Sequence, residues 1–136
     1  MADYYFDSSA LVKGYVRESG SEWVTGVLAS SLNHEIFVSR ITPVEIVSAI
    51  SRRARDGSIK RDEARDASAA FRADLPTLYQ IVELTDNVIV RAMGLSEDHA
   101  LRAYDTVQLA GVHRATKKST SLQTGDNQPC ICPFPE

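Results

Sequence analysis

Cysteine, histidine and long apolar runs are all scarce in this sequence. The two cysteines, Cys130 and Cys132, stand one residue apart near the C-terminus. Two thiols cannot complete a four-ligand zinc site, and His34, His99 and His113 are scattered along the chain. A zinc-stapled or disulfide-stapled scaffold is thereby excluded, and the thiols are expected to be free. No apolar stretch approaches the roughly 20 residues of a membrane helix. Met1-Ala2-Asp3 lacks a basic segment leading into an apolar core, so no secretory signal is expected and the protein is read as cytoplasmic. Excess positive charge is also lacking. Fifteen Lys and Arg against 18 Asp and Glu leave a net charge of −3 and a pI near 5.6. That excludes a protein that coats nucleic acid through its overall charge. It leaves room for a locally basic cleft, and a cluster of metal-binding acids would itself lower the pI. Repeats, low-complexity tracts and linkers are absent too. The 136 residues read as one domain, long enough to bury a core unaided, with 129–136 and its three prolines as an irregular tail.

What is present is an alternation of strand-like and helix-like segments. Tyr4-Tyr5-Phe6 is apolar without alternation, as in a strand covered on both faces of a parallel sheet, and it stops on Asp7-Ser8-Ser9. A short helix over 9–16 follows, then one capped by Ser21 with Trp23, Val24, Val27 and Leu28 as its stripe. Ile36-Phe37-Val38 is a second buried strand. Thr42-Pro43-Val44-Glu45 has the form of a capping box with proline at the first helical position, and Asp56-Gly57 ends that helix. Asp62 opens a fourth helix running to Leu78, Ile81-Val82 is a third strand, and Asp86 opens a fifth helix. Residues 101–115 are helical, and 120–124 read as a weak fourth strand. Strands alternating with helices predict an α/β fold with a parallel sheet.

The acids at the ends of these elements carry the chemistry. Asp7 stands at the carboxyl end of the first strand, where open α/β sheets gather ligands, although Asp is also a common helix cap. Glu45 completes the capping box, a structural role compatible with a functional one. Asp105 shares a helical face with Leu101, Leu109 and Val112, and no basic residue lies on that stripe. An unpaired charge facing a core or cleft is costly, so a metal ion is the economical partner. Asp126 follows the weak fourth strand in Gly125-Asp126-Asn127, which is also an ordinary turn. Together, Asp7, Glu45, Asp105 and Asp126 form a hard oxygen-donor set suited to Mg²⁺ and to attack of water on a phosphodiester. Arg52 falls two helical turns beyond Glu45 on the same face and, with Arg53, begins a basic run that could meet RNA phosphates.

Three stretches resemble the motifs of PIN-domain ribonucleases, with the VapC-type toxins of toxin–antitoxin pairs as the best match. They are Tyr5-Phe6-Asp7-Ser8-Ser9-Ala10-Leu11-Val12-Lys13, Thr42-Pro43-Val44-Glu45, and 101–110 around Tyr104-Asp105-Thr106. The resemblance implies a three-layer α/β/α sandwich with a central, mostly parallel sheet. It implies Asp7, Glu45 and Asp105 as the core metal-binding acids, Asp126 as the fourth, and Ser9 as the hydroxyl beside the first. It further implies Mg²⁺- or Mn²⁺-dependent RNA cleavage, homodimerisation, and inhibition by an antitoxin encoded alongside. Such an inhibitor would lay an amphipathic segment into an apolar groove. Val12, Tyr15, Val16, Trp23, Val24 and Val27 are the candidate lining, with Trp23 as anchor. The chain departs from the family beyond Asp126, where Asn127-Gln128-Pro129 follows at once.

Two other readings compete. A haloacid-dehalogenase-like phosphohydrolase also begins on an Asp after its first strand, but needs a second Asp where Ser9 stands. A non-catalytic RNA- or antitoxin-binding module would keep the fold with a weakened site.

Overall fold

The computed structural model describes residues 2–29, 34–122 and 130–131. Strand β1 (Ala2–Phe6) leads through α1 (Ser8–Leu11), a 3₁₀ turn (Val12–Gly14) and α2 (Ser21–Ala29) to β2 (His34–Ser39). Helices α3 (Thr42–Arg55) and α4 (Arg61–Leu78) precede β3 (Gln80–Val82), and α5 (Asp86–Asp98) and α6 (Ala103–Leu122) precede β4 (Cys130–Ile131). The sheet is parallel at every pairing, in the order β3-β2-β1-β4. Among the described residues, no helix is long and apolar enough to cross a membrane.

The unalternated strands are explained by two cores, one on each sheet face. Phe6, Ile36 and Val38 pack with residues of α1 to α4, including Leu11, Ile46, Ile50 and Phe71. Their neighbours Tyr5, Phe37 and Val82 turn the other way, onto Val112 and Ala115 of α6. The register Tyr5↔Phe37 and Phe6↔Val38 keeps each set on its own face. Helix α3 buries Thr42, Ile46 and Ile50 at four-residue spacing, and α4 buries Ala64, Ala67 and Phe71. This is the three-layer α/β/α arrangement that the sequence predicts.

The chain order places the site. From β1 the sheet grows through β2 to β3, and the chain then returns through α5 and α6 to lay β4 on the other side of β1. The reversal lies between β1 and β4, so the residue that follows β1 stands where such sheets bind ligands. That residue is Asp7.

Three expectations change. Residues 120–122 belong to α6, not to a strand, and the closing strand is Cys130–Ile131, within the segment read as an irregular tail. It pairs with Tyr4 and Tyr5 as an edge strand, a position that tolerates a preceding proline such as Pro129. The apolar groove expected on the early helices is not there: Val12, Val16, Val24 and Val27 are buried in the first core. Tyr15, half-buried, donates to Asp74 at 2.7 Å and meets the Tyr79 hydroxyl, tying the 3₁₀ turn to α4. Of that set only Trp23 is exposed, at 52%, with its ring against Tyr4 and Phe6.

Candidate active site

Asp7 fills the structural role that its position allows. Its extended backbone makes it the N-cap of α1, where Oδ1 accepts from the Ala10 N–H at 2.9 Å. Oδ2 accepts from the Ser9 hydroxyl at 2.8 Å, so Ser9 orients the carboxylate as the resemblance implies. A cap fixes the side chain at the carboxyl end of β1, and fixing it is what a site residue requires.

Glu45 does not complete a capping box. The N-cap position of α3 is Ile41, with no side-chain cap, and the Thr42 hydroxyl is wholly buried elsewhere. Both side chains instead turn to Gln108 of α6, whose Nε2 donates to Glu45 Oε1 at 2.8 Å and to Thr42 Oγ1 at 3.2 Å. Gln108 Oε1 in turn accepts from the Tyr5 hydroxyl at 3.1 Å. One buried carboxamide thus joins β1, α3 and α6, with both its hydrogens and its oxygen engaged. Tyr5 reaches α6 because position 111 is glycine: a methyl there would overlap the phenol oxygen. Burial pushes the Tyr5 phenol well above its ordinary range, the Ser39 hydrogen bond opposes this, and the charges of Glu45 and Asp7 add to it. It stays a neutral donor. Sequence reasoning missed Gln108, although it lies three residues after Asp105, the other spacing that shares a helical face.

Asp105 is half-buried in the first turn of α6. That turn is anchored by Thr106, buried, whose hydroxyl donates to the Ala103 carbonyl at 2.7 Å and accepts from Ser96 of α5 at 3.1 Å. Leu101, expected on the Asp105 stripe, precedes the helix and is 43% exposed. Leu109 and Val112 do lie inward, half-buried and buried.

The three acids meet electrostatically at Glu45. Burial raises its carboxyl above the ordinary range, hydrogen bonds from Gln108 and Ser8 oppose the rise, and the charges of Asp7 and Asp105 add to it. Among the described residues, no three His, Cys, Asp or Glu side chains are arranged to hold a metal ion. Carboxylates are the donor type that a hard divalent ion takes, but these three do not form a preformed cage. Asp126 lies outside the described residues.

Residues 4–127 match the PIN domain family. This chain belongs to the PIN-domain family. It is similar to ribonuclease VapC45 and ribonuclease VapC49, from two strains of Mycobacterium tuberculosis. Each is 36% identical over 109 residues, covering 78% of this chain and 72% of the relative.

In this PIN domain a cleft of about 670 Å³ opens beside the acids, lined among others by Ser8, Ser9, Lys13, Val44, Glu45 and Arg52. Glu45 and Arg52 line it together, as their two-turn spacing predicts. Arg53 also borders the cleft, but its guanidinium is bound to Glu18 at 2.9 Å and reaches the Ala49 carbonyl at 3.4 Å. Of the two arginines read as RNA contacts, Arg52 is the exposed one.

Proposed function

We propose that this chain is a VapC-type ribonuclease toxin that hydrolyses RNA phosphodiester bonds in the cytoplasm, acting as a homodimer. In this reading Asp7, Glu45 and Asp105, with Asp126 as a fourth acid, hold Mg²⁺ or Mn²⁺. The supporting observation is that carboxylates from three separate elements converge electrostatically on Glu45, at the point where strand order reverses. A divalent ion there would supply Lewis acidity toward the phosphoryl oxygens. The chain's own groups orient the acids: Ser9 and the Ala10 N–H hold Asp7, and Gln108 holds one oxygen of Glu45. Arg52, which lines the cleft, would meet a phosphate of the bound strand in this reading. The phosphohydrolase alternative loses ground, because the hydroxyl of Ser9 is spent orienting Asp7 where that chemistry needs a second carboxylate.

The test is cleavage of cellular RNA with EDTA, and again after Mg²⁺ or Mn²⁺ is restored, beside a small phosphomonoester. Cleavage of RNA alone, lost in EDTA and recovered with metal, is the expected result. Metal-independent cutting would remove the ion from the reading, and turnover of the phosphomonoester would revive the alternative.

The proposed protein partner is an antitoxin from the neighbouring reading frame, with Trp23 as its anchor. Exposed aromatic side chains of this kind are enriched among interface hot spots. Trp23 is half-exposed, so Trp23→Ala should cost less than the ~3–5 kcal/mol of a core tryptophan. It should weaken binding of the neighbouring product by about 30-fold, the effect of a ~2 kcal/mol hot spot. Melting curves and titration calorimetry measure both. A large fall in melting temperature with unchanged affinity would make Trp23 a packing residue only.

A further inference from the structure

We propose that Tyr104 is a stacking platform for one base of single-stranded RNA lying in the cleft that Glu45 lines, a role that rests on the ribonuclease reading above. The residue immediately precedes Asp105, lines the same cleft as Glu45 and Arg52, and is 60% exposed. Its hydroxyl and ring are not committed inward: among the described residues the aromatic contacts involve Tyr4, Phe6, Tyr15, Trp23, His34, Phe71 and Tyr79, and not Tyr104. Trp23, the other widely exposed aromatic, differs on this point, because its ring rests on Tyr4 and Phe6.

The surroundings favour a nucleic-acid strand as the occupant. Val44, 65% exposed, adds apolar surface to the cleft. Arg53 is neutralised by Glu18, so Lys13 and Arg52 remain as the cleft's cations. An exposed ring beside cations that can follow a phosphate backbone is the combination by which proteins hold single strands. The cleft's volume lies within the ~300–1,000 Å³ of pockets that take small organic groups. A duplex would not serve, since its bases are already stacked and offer no free face, whereas loops and single strands can splay a base onto a ring. Seated on Tyr104, a base would bring the adjoining phosphate toward Asp105 and Glu45. Stacking tolerates every base, so Tyr104 supplies affinity for unpaired RNA and only weak sequence preference.

The experiment is fluorescence anisotropy with a short labelled RNA of mixed sequence, in EDTA and then in Ca²⁺, against the same strand carrying abasic residues. Tyr104→Ala should weaken binding of the ordinary strand about tenfold, and Tyr104→Phe should stay within about twofold of wild type. On the abasic strand wild type and Tyr104→Ala should bind alike. Unchanged binding by Tyr104→Ala, equal losses on both strands, or no RNA binding by wild type would each overturn the proposal. Loss of affinity only for the neighbouring gene product would overturn it too, and make Tyr104 a protein contact. Cleavage with Mn²⁺ is scored separately. Base-dependent binding without cleavage would sink the ribonuclease reading and keep the platform. Cleavage with binding indifferent to Tyr104 would do the reverse.

Discussion

Asp105→Asn should remove metal-dependent RNA cleavage, by at least about 100-fold, and leave the domain folded. Loss of a mere outer partner of a metal ligand costs 10–100-fold, and a ligand itself should cost no less. The fold should survive because the first turn of α6 is anchored by Thr106 and Ser96, not by the Asp105 carboxylate. The sign of the stability change follows from Glu45. Its raised carboxyl means that the folded state holds this proton more tightly than the unfolded chain. The group therefore costs stability as pH climbs past the ordinary carboxylate range, and the cost is fully present above the folded pKa. A neutral side chain at 105 removes one of the charges behind that cost. In EDTA at neutral pH the variant should melt no lower than wild type. A folded Asp105→Asn protein that still cut RNA at near the original rate would break the shared-metal assignment.

Asp7 was legible because the apolar run over 4–6 ends on it, and the direction of the sheet makes that end a candidate site. Glu45 was legible as a residue and misread in its bonding. The pattern from Thr42 to Glu45 is local, and nothing in it shows that a buried carboxamide over 60 residues away will claim both side chains. The same limit applies to Arg53, whose spacing beside Arg52 looks equally available until Glu18, 35 residues upstream, takes its guanidinium. The closing strand was hidden for another reason. Two residues between Pro129 and Pro133 cannot display a periodicity, and only pairing with β1 makes them a strand. The apolar residues of the early helices were read as a docking groove because composition counts them without saying which face they take. Most go into the core, and Trp23 alone is left out.

Gln108→Leu should damage both stability and metal binding. Leucine approximates the volume but makes none of the three hydrogen bonds. The Thr42 hydroxyl would be left buried without its partner, at a cost of ~1–3 kcal/mol, and the Tyr5 phenol would keep only Ser39. Glu45 would lose the donor that fixes one of its oxygens, and with it the orientation proposed to serve a metal ion. A fall in melting temperature and a 10–100-fold loss of Mn²⁺ affinity should therefore appear together. The two effects separate in the double variant Thr42→Val/Gln108→Leu. Removing the Thr42 hydroxyl takes away the orphan, so part of the stability should return. Glu45 remains unheld, so the Mn²⁺ affinity should not return. Titration calorimetry beside melting curves reads both. If metal affinity recovered along with stability, Gln108 would act by packing alone, and its hold on Glu45 would have no bearing on the site.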